Sequence, residues 1–188
     1  QLADGMEQQL HLLEMEKARF QVAQAVVEAE QGLMMNDRTL AFDASGIDQI
    51  EFLIETNPGE GFKPLAKTAS GGETSRLMLA LKTVLAEVDH IPTLVFDEID
   101  SGIGGRVGMT VGEMLWNLGK QHQVLCVTHL PQLAAFGDQH FHVSKRADNG
   151  RTATQVEELE GEARVQELAA MLGAGTPATL QSAREILH

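Results

Sequence analysis

The chain has 188 residues, enough for one substantial core or for a domain with an extended appendage. Its 27 Asp and Glu against 14 Lys and Arg give a net charge of −13, and such a surface repels nucleic acid on average, because backbone affinity comes from Lys and Arg displacing counterions. Seven Phe, one Trp and no Tyr supply few platforms for stacking unpaired bases, and the single cysteine, Cys126, excludes an internal disulfide and suits a reducing compartment.

No CxxC pair or Cys/His cluster suggests structural zinc. No apolar run is long enough to span a membrane, and QLADGMEQQL has neither the basic nor the apolar part of a secretory signal. The missing initiator Met reads as the mark of a fragment or a processed chain.

From Leu2 to about Leu33 the pattern predicts one helix, with Ala3, Met6, Leu10, Leu13, Phe20 and Val27 on a heptad seam that Lys17 and Gln24 interrupt. At ~1.5 Å per residue that is a rod of roughly 45 Å, either a strand of a coiled coil or a surface helix packed on its own domain. Two strands follow, Thr39 to Phe42 and Ile50 to Glu55, joined by DASGID. The loop NPGEGFKPLAK then leads to SGGETSR. Here Ser70 and Glu73 are spaced as a capping box, and Gly71 and Gly72 leave first-turn amides open to an anion. The helix Glu73 to Val88 carries Leu77, Leu81, Val84, Leu85 and Val88 on one face.

Beyond Pro92, TLVF at Thr93 to Phe96 and VLCVT at Val124 to Thr128 read as strands buried on both faces of a parallel sheet, connected through a helix Arg106 to Leu118. HFHVSKR and RTATQVEEL flank Asp148-Asn149-Gly150, a hairpin signal. Two helices finish the chain: Glu162 to Leu172, ended by Gly173, and one opened by Thr176-Pro177. The pattern is α/β.

What ends the two buried strands carries the chemistry. The first runs into Asp97-Glu98 and the second into His129, and ligands of open α/β sheets bind beyond the carboxyl ends of the strands. Each residue alone has a structural explanation, as a loop cap, a solvated acid or a hydrogen-bonded imidazole. Together they suit phosphoryl transfer. Asp97 could hold Mg²⁺ through water, Glu98 could orient and deprotonate the attacking water, and His129 could sense the terminal phosphate.

At this point the sequence resembles the ABC-type ATPases. TLVFDE looks like Walker B with its catalytic glutamate, IDSGIGG like the D-loop, CVTHLPQLA like the H-loop, and SGGE like the signature motif, in matching order from Ser70 to Ala134. The leading helix and the wording NPGEGFKPLAKTASGGETSRLMLALKTVL, VLCVTHLPQLAAFGD and QELAAMLG are similar to the SMC-like branch, and within it to the bacterial DNA double-strand-break repair ATPases. Thr74, in place of an aliphatic residue, and Gly104, in place of a small hydroxyl residue, depart from the pattern.

The resemblance implies the C-terminal lobe of an ATPase head, with residues 1–35 a returning coiled-coil helix and 36–188 the lobe itself. It also implies ATP and Mg²⁺ as cofactors, Asp100, Ser101 and Gly102 as D-loop residues, and a cytoplasmic, nucleoid-associated location. No Walker A loop is present. Gly119-Lys120 fails, since Gln121 takes the Ser/Thr position and Met114 that of the first Gly.

The implied partners are therefore an N-terminal lobe supplying Walker A, a second protomer whose γ-phosphate Ser70, Gly71, Gly72 and Glu73 would meet, and DNA reached through the complete protein. The chain alone would be inactive. A transporter nucleotide-binding domain and a non-catalytic dimerisation module are the alternatives, with a metal-dependent phosphodiesterase third because no second His/Asp cluster offers ligands for two ions.

Overall fold

The computed structural model describes residues 1–67, 71–148 and 151–187. The backbone divides into two compact units, Gln1–Ser70 and Gly71–His188.

The first unit corrects the expected long helix. Helix α1 covers only Leu2–Leu12, and Glu14 turns the chain at φ 57°. Strand β1, Arg19–Val26, then pairs antiparallel with β4, Asp48–Glu55, in a register running from Arg19↔Glu55 to Val26↔Asp48. The physical reason is a competition that heptad counting does not weigh. Phe20, Val22 and Val26 also alternate at period two, and the distant IEFLIE segment offers them a ladder and a ring partner, Phe52, whose centroid lies 5.6 Å from that of Phe20.

The two residues that broke the seam fit this arrangement. Lys17 lies in the turn before β1, and the Gln24 side-chain amide donates to Asp48 across the ladder at 2.9 Å. The seam survives as a local core, in which Met6, Leu10, Leu13 and Phe20 are buried, while Val27 is exposed.

Strands β2, Glu28–Met35, and β3, Arg38–Leu40, form a hairpin turned by Asn36 and Asp37, both at positive φ. The expected strand at Thr39 to Phe42 thus shrinks to β3, and its partner is β2 rather than the Ile50 segment. Strand β5, Lys63–Pro64, adds to the far edge of β4. The loop before it folds over the Glu55 carboxylate, which accepts the amides of Gly59 and Gly61 at 3.0 and 3.1 Å.

The second unit follows the expected order. Helix α2, Gly71–Leu85, precedes β6, Thr93–Phe96; helix α3, Gly105–Leu118, crosses over to β7, Gln123–Cys126; and the two strands are parallel from Thr93↔Gln123 to Phe96↔Cys126. A short helix α4, Pro131–Ala134, precedes the hairpin of β8, His140–Asp148, and β9, Arg151–Leu159. The turn residues Asn149 and Gly150 lie outside the described residues.

Helices α5, Gly161–Met171, and α6, Pro177–Ile186, close the chain, and Thr176 caps α6 reciprocally with Thr179. Leu168, Ala169 and Ala183 from these helices pack with Ala135 into one buried cluster. The expectation of strands buried on both faces is corrected: Leu94 and Phe96 are buried, but Val95, Leu125 and Val127 are 70%, 48% and 62% exposed. Among the described residues one face of the parallel pair is left exposed.

Candidate functional site

Parallel pairing in register makes β6 and β7 end side by side, and the Val127 amide extends the ladder by donating to Phe96 O at 2.9 Å. Asp97 and Glu98 leave β6 exposed, and His129 leaves the end of β7 with its ring 74% exposed. Glu98 adopts φ 56°, a left-handed conformation that a non-glycine residue rarely holds without support from its surroundings. That support includes the Glu98 amide, which donates to Asp97 Oδ1 at 2.9 Å, and the Glu98 carbonyl, which accepts the Ser101 amide at 3.0 Å.

Helix α2 is tied to this loop at several points. The Ser75 hydroxyl donates to Asp97 O at 2.7 Å, and Arg76 Nη1 donates to Ser101 O at 2.9 Å and to Ile99 O at 3.5 Å. The Arg76 guanidinium is buried, so its long stem fills space while its head binds loop carbonyls. Burial lowers its pKa and the charge of Glu73 opposes that shift, so the side chain remains a cation.

The two glycines at the start of α2 are close-approach positions. A Cβ on Gly71 would stand 2.2 Å from Glu98 Oε2, and one on Gly72 would meet Ser101 Cβ at 2.8 Å, Ser101 O at 2.9 Å and Glu98 O at 3.1 Å. The Glu98 carboxylate therefore rests against the N-terminus of α2, where the helix dipole favours negative charge.

Asp100 turns inward and is 2% exposed. Its Oδ2 accepts the Thr128 hydroxyl at 2.5 Å and the His129 amide at 2.8 Å, and His129 Nδ1 lies 3.0 Å away. Beside them, burial, reinforced by the charges of Asp100 and Asp97, pushes the Cys126 thiol up to about 12.

The structure thus brings Asp97, Glu98, Asp100, Ser101 and His129 together with Gly71 and Gly72. Ser70 lies outside the described residues, so the Ser70–Glu73 capping box does too. Gly102, expected in the D-loop, turns the chain at φ 75° and presents no side chain.

Sequence reasoning missed Arg76 and Thr128, which hold the loops rather than end a strand. It also missed the glycines of α3: a Cβ on Gly112 would stand 2.4 Å from the Phe136 ring, and one on Gly108 would meet Leu130 at 3.1 Å. Their i, i+4 spacing was a readable sign that another element packs closely there, and that element carries the residues following His129.

Among the described residues no group of three or more His, Cys, Asp or Glu could hold a metal ion alone, and no helix is long and apolar enough to cross a membrane. Asp97 fits a magnesium ion held by one carboxylate, waters and substrate phosphates, the usual arrangement for that ion in phosphoryl transfer.

No family model matches the chain. The DNA repair protein RecN of Halalkalibacterium halodurans is 41% identical over 100% of this chain and 32% of its own length. RecN of Treponema pallidum is 47% identical over 95% of the chain and 30% of its own length, and RecN of Bacillus subtilis is 39% identical over 99% and 33%.

Among solved structures, an SMC ATPase chain superimposes with a TM-score of 0.51 at 18% identity, covering 92% of each chain. The Pyrococcus furiosus Smc head with an extended coiled coil superimposes with a TM-score of 0.53 at 19% identity, covering 91% of this chain and 37% of that one. The structural likenesses establish an SMC ATPase head fold. The chain spans about a third of the length of the curated relatives it matches, 32% for the Halalkalibacterium protein. By sequence over its whole extent, it belongs to the RecN family.

Proposed function

We propose that this chain is the C-terminal lobe of an SMC-type ATPase head which, joined to a Walker A lobe, binds and hydrolyses ATP to drive head dimerisation in DNA double-strand-break repair. The observation that carries the reading is the convergence of Asp97, Glu98 and His129 at the neighbouring ends of a parallel strand pair, with Glu98 held at positive φ. An open, strained turn at strand ends is where α/β folds do their chemistry.

In this reading Glu98 takes the proton of the attacking water, Asp97 would hold Mg²⁺ through water, and His129 meets the terminal phosphate. ATP supplies the phosphoryl group. The N-terminus of α2 faces the γ-phosphate of a second protomer, so nucleotide joins two heads and hydrolysis parts them. The uncovered face of Val95, Leu125 and Val127 supports a missing layer, which a Walker A lobe would provide. Helix α1 is where a coiled coil would enter, and DNA would be engaged elsewhere in the complete cytoplasmic protein, away from this acidic surface.

The test is Glu98→Gln in the protein at the full length of its relatives. General-base catalysis contributes roughly 10²–10⁴ in rate, so turnover should fall by that factor while ATP binding persists and the ATP-bound dimer becomes longer-lived. Turnover at the unsubstituted rate would sink the assignment.

A further inference from the structure

Asp100 stands two residues past Glu98, yet its side chain points back into its own lobe rather than outward. It is 2% exposed and surrounded by donors from the other loop: Thr128 Oγ1, the His129 amide and His129 Nδ1 all reach the same oxygen, Oδ2, at 2.5, 2.8 and 3.0 Å. An oxygen already accepting a hydroxyl and an amide has no place for a proton of its own, so the imidazole must donate, and the proton sits on Nδ1. The ring is then held by its Nδ1 edge and is 74% exposed, leaving Nε2 as the nitrogen free to meet a ligand.

The loop bearing Asp100 is itself clamped. Arg76 of α2 binds the carbonyls of Ile99 and Ser101, one on each side of Asp100, and Gly72 packs against Ser101. Thr128 closes the arrangement, since its oxygen also accepts the Leu130 amide at 3.0 Å.

We infer that Asp100 is the positioning residue for His129, fixing its tautomer and orientation, and that Arg76 makes this setting depend on the seat of α2. The pairing stands on the geometry alone; its effect on turnover rests on the ATPase reading proposed above. A movement of α2 on engaging a second protomer's nucleotide would reach His129 through the Arg76 clamp and Asp100, linking the site that α2 faces to the site that His129 serves.

The experiment is a double-substitution cycle at the full length of the relatives, measuring ATP turnover for Asp100→Asn, His129→Ala and both, with Glu98→Gln as reference. Asp100→Asn should lower kcat by roughly 10–100-fold, the range for losing a partner that orients a working side chain, and leave KM within about twofold. Added to His129→Ala it should cost nothing further, because Asp100 acts only through the ring.

Losses that multiply in the double variant, an Asp100→Asn kcat equal to that of the unsubstituted protein, or an unaffected His129→Ala, would overturn the inference. If Glu98→Gln turns over normally, the ATPase reading falls instead. The pairing is then decided by the ¹⁵N signals of His129 in the unsubstituted protein: a protonated Nδ1 upholds it, and a ring protonated only on Nε2 refutes it. That measurement also decides the matter if Asp100→Asn does not fold.

Discussion

Gly71 and Gly72 are adjacent, and the same substitution at each should have different consequences. A methyl group on Gly72 would press against Ser101 Cβ at 2.8 Å, Ser101 O at 2.9 Å and Glu98 O at 3.1 Å, and two of these are backbone atoms of a loop held by Arg76 and by its own turn. Overpacking of this kind costs about 1–3 kcal/mol. Gly72 lies within α2, where alanine is the better helix former by about 1 kcal/mol, so the net loss for Gly72→Ala should be roughly 0–2 kcal/mol with the Glu98–Ser101 loop displaced.

A methyl group on Gly71 instead meets the far end of one side chain, Glu98 Oε2 at 2.2 Å, which can swing aside. Gly71→Ala should therefore leave stability within about 0.5 kcal/mol while moving the carboxylate that the proposed mechanism needs. Urea unfolding of both variants, followed by a probe in the Gly71–His188 unit, reads the stability. ATP turnover at full family length reads the position of Glu98. A Gly71→Ala variant that loses more stability than Gly72→Ala, or that keeps full turnover, would refute this account of why two glycines begin the helix.

Other consequences can be checked separately. Cys126, pushed from 9.0 to about 12, should hold about 10³-fold less thiolate at pH 8 than an unperturbed thiol and so react more slowly with a neutral disulfide reagent, by a smaller factor because a more basic thiolate is the better nucleophile; Asp100→Asn should speed it by removing one of the causes. A thiol pKa raised by folding favours the native state below pH 9.0, and that contribution is lost as the pH rises toward about 12; Cys126→Ala should flatten this alkaline fall in stability. Thr128→Val removes the hydroxyl that donates to Asp100 and accepts from Leu130, leaving a buried carboxylate short of a donor, and should cost about 1–3 kcal/mol in urea unfolding. Arg164→Ala withdraws the guanidinium from the carbonyls of Ala134, Ala135 and Gly137 at the end of α4, so amide exchange should quicken over residues 131–137 before it changes elsewhere.

The parallel pair, its crossover helix and the terminal hairpin were readable because each rests on local patterns that agree: short apolar runs, a 14-residue amphipathic stretch, and turn residues between alternating strands. That Asp97, Glu98 and His129 lie at neighbouring strand ends was readable for the same reason, since a residue that follows a strand has its position dictated by that strand. Residues 13–35 were not. Their apolar positions satisfy a heptad and a period-two alternation at once, and the decision belongs to β4, twenty-two residues beyond the end of β1 at its nearest partner, Asp48 of Asp48–Glu55 paired to Val26. Arg76 and Thr128 escaped for a related reason: nothing in their own neighbourhood says that a carbonyl of Ser101 or a carboxylate of Asp100 will be waiting.

The stretch SGGE carries two demands that the described residues help to separate. A phosphate-binding helix start needs exposed amides, and Gly71 is exposed; a hinge between loops needs close packing, and Gly72 is buried against Ser101. On the proposed reading the pair is one glycine for access and one for contact. The transporter alternative predicts the same division and is set aside by family membership, whereas a purely structural dimerisation module predicts only the contact. Such a module has no use for a Glu98 carboxylate lying against Gly71 at positive φ, a conformation that costs on the order of 1–3 kcal/mol. If Glu98→Gly, which removes both the strain and the carboxylate, leaves stability unchanged or raises it while turnover is lost, the strain serves chemistry; a variant that unfolds more easily and still turns over would return the advantage to the structural module.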